Sequence, residues 1–140
     1  MSSLLLLDTD TVSYIIKSRN PSVDARFGEA DASLIAVSAV TQSELLFGLK
    51  RLDPGHQFQF SVRRFLRETR ILPWDTEAAK AHADVRYRLV SGGRTIGEMD
   101  MMIAAHAISL GAVLITNNVR HYARLSPALT IENWVSDSMP

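Results

Sequence analysis

The stretch Leu4-Leu5-Leu6-Leu7-Asp8-Thr9-Asp10 decides the fold. Four consecutive leucines cannot lie half in water. A short apolar run that stops abruptly at polar residues reads as a strand buried on both faces, the pattern of a central strand in a parallel sheet. Asp8 is the first side chain beyond that run. It stands at the strand's carboxyl end, where open α/β sheets place their sites. Asp10-Thr11 offers an N-cap for a helix through Val12, Ile15 and Ile16. On this stretch alone, Asp8 need only end a strand and Asp10 need only cap a helix.

The same alternation repeats outward from that strand. Pro21 opens a short helix through Val23, Phe27 and Ala30, and Leu34-Ile35-Ala36-Val37 is a second buried strand ending at Ser38. Ser38 can cap a helix from Ala39 to Arg51. Gly48 within that helix costs about 1 kcal/mol against Ala, which points to close backbone packing there. His56 to Glu68 is a further predicted helix, Ile71-Leu72 and Trp74 mark a third strand, and Asp75 or Thr76 caps a long helix ended by Ser91-Gly92-Gly93. Met99 to Leu110 is apolar almost all round, so it reads as a buried helix, ended by Gly111. Ala112-Val113-Leu114-Ile115 is a fourth strand breaking at Thr116-Asn117-Asn118, and Leu129-Thr130-Ile131 a short fifth before Trp134. Strands alternating with helices imply parallel pairing with right-handed crossovers. The expected architecture is one α/β domain over residues 1–140, a three-layer α/β/α sandwich around a mainly parallel sheet of four to five strands.

Composition narrows the function classes. A chain of 140 residues with 46% hydrophobic and 21% charged residues has the balance of a globular protein and length enough for a sizeable core. Fifteen Lys and Arg balance fifteen Asp and Glu, so no global field draws the chain to nucleic acid or to a membrane. Any polyanionic partner must be held by a local patch. The absence of cysteine excludes disulfides, thiolate metal sites and cysteine nucleophiles. Leu4 to Leu7 is too short for a signal-peptide core, and no apolar run approaches the roughly 18 residues of a membrane helix. A soluble, cytoplasmic protein with no membrane partner is expected.

The acids carry the chemical argument. Glu44 lies one turn beyond Val40 and just before Phe47 and Gly48. On an inward helical face a carboxylate is costly unless paired or metal-bound; turned outward, it would need no explanation. Asp100 opens the buried helix, where the helix dipole alone favours an acid by about 0.3–1 kcal/mol. A buried helix beginning at the sheet's carboxyl edge would also aim Asp100 into the crevice of Asp8, and the turn Thr116-Asn117-Asn118 should face that crevice too. Asp8, Glu44, Asp100 and Asn118 could therefore converge. Three carboxylates in one crevice repel one another unless a cation sits between them or protons are taken up. With no Cys and no paired His ligands, that cation would be a hard one, Mg²⁺ or Mn²⁺, completed by water and substrate phosphate oxygens. Such a site suits hydrolysis of a phosphoryl ester by metal-activated water.

Five stretches in series then resemble one family. They are Leu7-Asp8-Thr9-Asp10, Ser38-Ala39-Val40-Thr41-Gln42-Ser43-Glu44-Leu45-Leu46-Phe47-Gly48, Ile96 to Ala107 around Asp100, Thr116-Asn117-Asn118-Val119-Arg120, and Ile131-Glu132-Asn133-Trp134. Together they resemble the PIN-domain ribonucleases, above all the VapC-type toxins of toxin–antitoxin pairs. The resemblance covers the whole chain in order. It implies a PIN-like sandwich and a metal-dependent endoribonuclease acting on structured RNA such as tRNA or rRNA. It also implies a homodimer held inactive by a small VapB-type antitoxin, in a heterotetramer or larger complex that meets operator DNA only through the antitoxin. By position, Asp8 and Asp100 would be the Mg²⁺ ligands, with Glu44 completing the acidic site and helping to position or deprotonate the water. Thr116 would hydrogen-bond within it. Asn118 stands where many members have a fourth acid, which lowers the site's charge. Asp10 stands where the family often has Asn, which favours a capping role. His121-Tyr122 replaces the acid–aromatic pair often found there.

Basic residues and rivals complete the reading. Arg120, two residues after Asn118, and Arg86, with Arg88 and Arg94, could line an RNA path. Arg63, Arg64, Arg67 and Arg70 read as a solvated helix face, and His106, inside an apolar helix, as a satisfied core residue. One rival is a haloacid-dehalogenase-type phosphatase, with Asp8 as nucleophile and Asp10 as acid/base. Glu44 would have no role in it. Another is a binding module without turnover, which would not need three carboxylates.

Overall fold

The structure, a computed structural model, describes residues 3–135; the ends of the expected 1–140 domain, 1–2 and 136–140, lie outside the described residues. The leucine run becomes strand β1 (Leu5–Leu7), and β2 (Ile35–Ser38), β3 (Arg70–Leu72), β4 (Val113–Ile115) and β5 (Thr130–Glu132) complete the sheet in the order β3-β2-β1-β4-β5. Every pairing is parallel, with Leu6 opposite Ala36 on one side and Leu114 on the other. β1 is thus central, as four unbroken leucines require.

Because successive side chains point to opposite faces, β1 serves two cores at once. Leu6 packs with Val85, Leu89, Ile103, Ala104 and Leu114 beneath helices α5 (Thr76–Ser91) and α6 (Glu98–Leu110). Leu7 faces Val12, Val37, Leu45, Phe65 and Ile115, covered by α1 (Thr9–Lys17), α2 (Pro21–Glu29), α3 (Ala39–Lys50) and α4 (Gln57–Glu68). A four-residue helix, α7 (Val119–Tyr122), follows β4; its pattern is too short for helical periodicity to announce it.

Three expectations change. The cap of α1 is Asp8, not Asp10: the Asp8 carboxylate accepts from Thr11 N at 2.8 Å. Asp8 alone separates β1 from α1, which leaves Asp10 in the helix's first turn. Gly48 is not closely packed, for a Cβ there would meet nothing within 4 Å. Trp74 lies beyond β3, and its indole N–H donates to Met102 O at 2.9 Å, clasping α6 instead.

Since Leu6 and Leu7 are both fully buried and fill separate cores, Leu6→Ala and Leu7→Ala should each lower unfolding free energy by about 3 kcal/mol in urea titrations. The double variant should lose nearly the sum.

Candidate active site at the carboxyl edge of the sheet

β1 and β2 each run into a helix with at most one residue between, whereas β4 ends in the turn Thr116-Asn117-Asn118. Asp8 continues the ladder through its backbone, donating to Ile115 O at 3.0 Å, while its side chain caps α1. The residue is only 3% exposed. Burial raises the Asp8 pKa from 3.8 to about 6, against hydrogen bonds from Thr116 and Thr11 that favour the charged form; the Asp10 charge raises it further.

Glu44 projects from α3 half-buried and accepts from the Thr9 hydroxyl at 2.6 Å, with the Thr41 hydroxyl 3.2 Å from that same Thr9 oxygen. Its pKa is raised, first by burial and then by the charges of Asp100 and Asp10. Asp100, in the first turn of α6, is likewise raised by burial and by Asp10, while Tyr122 and His121 pull the other way. The carboxylates therefore share one field. No Lys or Arg pairs with Asp8, Asp10, Glu44 or Asp100 among the described residues.

Asn118 faces this group as a neutral donor, its amide nitrogen 3.2 Å from Asp10 Oδ2. A fourth carboxylate is thus present although position 118 is an amide, and Asp10 is a member of the cluster rather than a helix cap. Thr116 is fully buried, and its hydroxyl accepts from Asn118 N at 2.9 Å, which folds the turn after β4 back toward Asp8. Its backbone N–H donates to Glu132 O at 2.9 Å. The side chain of Glu132 points elsewhere, to Arg26 and to the Trp134 indole N–H.

A buried bridge ties the two helices that carry Glu44 and Asp100. Ser38 Oγ accepts from Val40 N at 3.1 Å, capping α3, and lies 2.8 Å from Nδ1 of His106 on α6. Burial lowers the His106 pKa, so the ring is neutral and satisfied, as expected of a core histidine.

Around the site, Arg120 and Arg86 are exposed and unpaired among the described residues. Arg86 lies one turn along α5 from His82, whose Nε2 is 3.2 Å from Glu98, two residues before Asp100. Arg88 instead donates to Ser126 O, and in the α4 cluster Arg64 pairs with Glu68. Beside Thr9 and Glu44 a groove of about 400 Å³ lies between α1, α3 and α4, with Ile16, Leu45, Leu49 and Val62 among its lining together with Lys17 and Arg51.

Asp10 and Tyr122 are the residues whose place at the site sequence reasoning missed. The signal for Asp10 was available: a strand ending at Asp8 with Thr11 three residues on fits an N-cap at Asp8, which frees Asp10. For Tyr122 the turn His121-Tyr122 was noted only for the acid it lacks, and nothing in the sequence marked the tyrosine itself.

A family model described as PIN domain matches residues 5–126. The chain is 35% identical over 130 residues, 93% of this chain and 97% of the relative, to ribonuclease VapC2 of Haemophilus influenzae. It is 33% identical over 92% of its length and 96% of the relative's to the tRNA(fMet)-specific endonuclease VapC of Salmonella typhimurium. The crystal structure of DNA-bound VapBC from Salmonella typhimurium superposes with a TM-score of 0.86 at 32% identity, covering 95% of this chain and 99% of that one.

The raised Asp8 pKa fixes a stability sign. A carboxyl whose pKa rises on folding contributes stability below its unfolded value, lost as pH climbs through the folded value. The rise from 3.8 to about 6 corresponds to about 3 kcal/mol at neutral pH. Asp8→Asn keeps a good cap without the charge. In EDTA its stability should match wild type near pH 4 and exceed it at pH 7 by up to that amount, read from urea midpoints.

Proposed function

The chain belongs to the PIN-domain family, among its VapC ribonucleases, and from that premise we propose that it is the toxin of a toxin–antitoxin pair, a divalent-metal-dependent endoribonuclease acting on structured RNA such as tRNA or rRNA. The observation that carries this is the convergence of Asp8, Asp10, Glu44 and Asp100 at the carboxyl edge, with pKa values raised at Asp8, Glu44 and Asp100 and no basic side chain paired with any of the four among the described residues. Repelling carboxylates held together by the fold ask for a cation. The donors are all oxygen, which fits Mg²⁺ or Mn²⁺. Among the described residues no three His, Asp or Glu side chains stand close enough to enclose one ion, so water and phosphate oxygens would complete the shell.

In this reading Asp8 and Asp100 would hold the cation, whose chemistry when bound would be to acidify water and offset charge on the departing oxygen. Glu44, oriented by Thr9, positions the attacking water and accepts its proton; the raised pKa suits a group that must take up a proton. Thr116 supports Asp8, and Asn118 holds Asp10 within the cluster through its amide N–H. Arg120 and Arg86 meet phosphates of the RNA, a local patch in a chain of zero net charge. The phosphatase alternative is disfavoured because the Asp8 carboxylate is buried and committed to capping α1, a poor state for a nucleophile.

The natural regulator in this reading is a VapB-type antitoxin that alone carries the pair to operator DNA, with the toxin as a homodimer in a heterotetramer or larger assembly; the similar Salmonella structure is a VapBC bound to DNA. The apolar groove that opens beside Glu44 supports a segment of the antitoxin lying there and blocking the acids. No helix among the described residues is long and apolar enough to cross a membrane, and we place the protein in the cytoplasm, where its RNA is.

Purified protein should cleave tRNA or rRNA with Mg²⁺ and stop in EDTA. Asp8→Asn, Asp100→Asn and Glu44→Gln should each lose at least about a hundredfold in rate, as expected when a group that handles the metal or the proton is removed. Cleavage that persists in EDTA, or turnover of a small phosphomonoester lost in Asp10→Ala, would overturn the proposal. Gly48→Leu, directed into the open groove, should weaken the antitoxin's hold in a pull-down titration while leaving RNA cleavage intact.

A further inference from the structure

Phe47 is 62% exposed on α3, the helix that buries Val40, Leu45 and Leu49. One exposed apolar residue is ordinary and by itself means nothing. Its register gives it meaning. Residues three and four apart share a helical flank, so Glu44, Phe47 and Arg51 form one stripe while Leu45 and Leu49 turn into the core. Glu44 is fixed at the site by its bond from Thr9, the residue after Asp8. The Arg51 guanidinium carbon lies 6.0 Å from the Phe47 ring centroid, within reach of a cation–π contact. Arg51 pairs with no carboxylate among the described residues, and with Lys17 and Glu44 it lines the groove beside the acids.

A ring and a free cation answer a difficulty that the acids create. Four carboxylates repel phosphates, whereas a base is uncharged and offers a π face. Stacking therefore adds affinity that the negative field does not oppose. The neighbours of the ring argue against a protein partner. Ser43, Lys50 and Arg51 are exposed around it, so on that flank it is one apolar spot among polar side chains, not the contiguous patch of a protein interface.

We infer that Phe47 and Arg51 form a nucleotide subsite beside the acids, the ring stacking one base of the substrate RNA and the guanidinium holding a phosphate next to that base. The inference rests on the reading of the chain as a ribonuclease. A base inside a duplex shows its faces only to its neighbours in the stack, so the subsite takes a base that is unstacked or can swing out. Glu44 stands one turn from the ring. A base seated there therefore sets which phosphodiester reaches the acids.

The test is cleavage of total cellular RNA in Mg²⁺ by wild type, Phe47→Ala, Phe47→Leu, Phe47→Trp and Arg51→Ala, with apparent KM followed through a salt series. Phe47→Ala and Phe47→Leu should both raise KM about tenfold with kcat unchanged, within the range for loss of one base–aromatic stack. Phe47→Trp, which keeps a stacking face, should hold KM at or below the wild-type value. Arg51→Ala should raise KM too, and should make log KM less steep in log salt by about 0.7, the share of one phosphate on a single strand. The Phe47 variants should keep the wild-type slope, since a stack releases no counterion. A wild-type KM in Phe47→Leu would make the ring mere apolar surface. A changed oligomeric state or a weaker hold by the antitoxin, with KM unchanged, would give the ring to a protein partner. A urea midpoint that falls in Phe47→Ala while KM stays put would leave the pair with Arg51 serving only the helix. Each of these, with wild type active, overturns the subsite alone. If wild type cleaves no RNA, the ribonuclease reading fails and the subsite falls with it.

Discussion

The structure depends on one unusual duty given to one side chain. Asp8 must cap a helix and bear a site carboxyl, at the end of a strand with no exposed face. Capping asks for an oxygen near the first-turn N–H groups, and the site asks for the same oxygen-bearing group at the carboxyl edge. Both are met because α1 begins at the residue after Asp8. The cost is desolvation: the carboxyl is almost wholly buried, and burial outweighs the bonds from Thr116 and Thr11. The cap bond from Thr11 relieves only part of that cost, and an uncharged Asn would cap as well. The fold therefore does not ask for a charge at position 8.

The other acids are held to Asp8 by bonds between elements distant in sequence. Thr9, next to Asp8, reaches Glu44. Ser38, which starts the helix of Glu44, meets His106 on the helix of Asp100. Thr116 takes its backbone register from Glu132 and folds Asn118 toward Asp10. Each bond starts within a residue or two of a strand's carboxyl end, so the sheet acts as the common ruler. Small shifts in any helix would alter distances between carboxylates, where Coulomb energy varies most steeply.

Legibility in the sequence followed the same division. The parallel sheet, its two covering layers and the central place of the first strand were readable, because four buried leucines, three further apolar runs and an all-apolar α6 admit few arrangements. The convergence of Asp8, Glu44 and Asp100 was readable too, since each lies at a fixed offset from a strand end or helix start. What escaped was local and short-range. Which of two neighbouring aspartates caps α1 depends on one loop residue more or less, a difference that periodicity does not record. Gly48 looked like a packing glycine, yet it borders an open groove; the pattern reports a missing side chain but not what fills its space. Tyr122 belongs to a four-residue helix, below the length at which a pattern exists.

The pairing of Asp10 with Asn118 shows why charge at such a site is better judged by space than by position. A turn ending in an amide rather than an acid suggests a weaker site. Yet the amide donates to a carboxylate contributed from α1, and that carboxylate raises the pKa of Asp8, Glu44 and Asp100 alike. A neutral donor at 118 binds Asp10 without a counter-charge, so it fixes the fourth acid while leaving its field intact. A Lys or Arg there would have held Asp10 as well, but would have neutralised the negative potential that draws a cation. The site therefore keeps four carboxylates in a chain whose net charge is zero. Its attraction for a cation is local, and so must be whatever holds the polyanion that the same four charges repel.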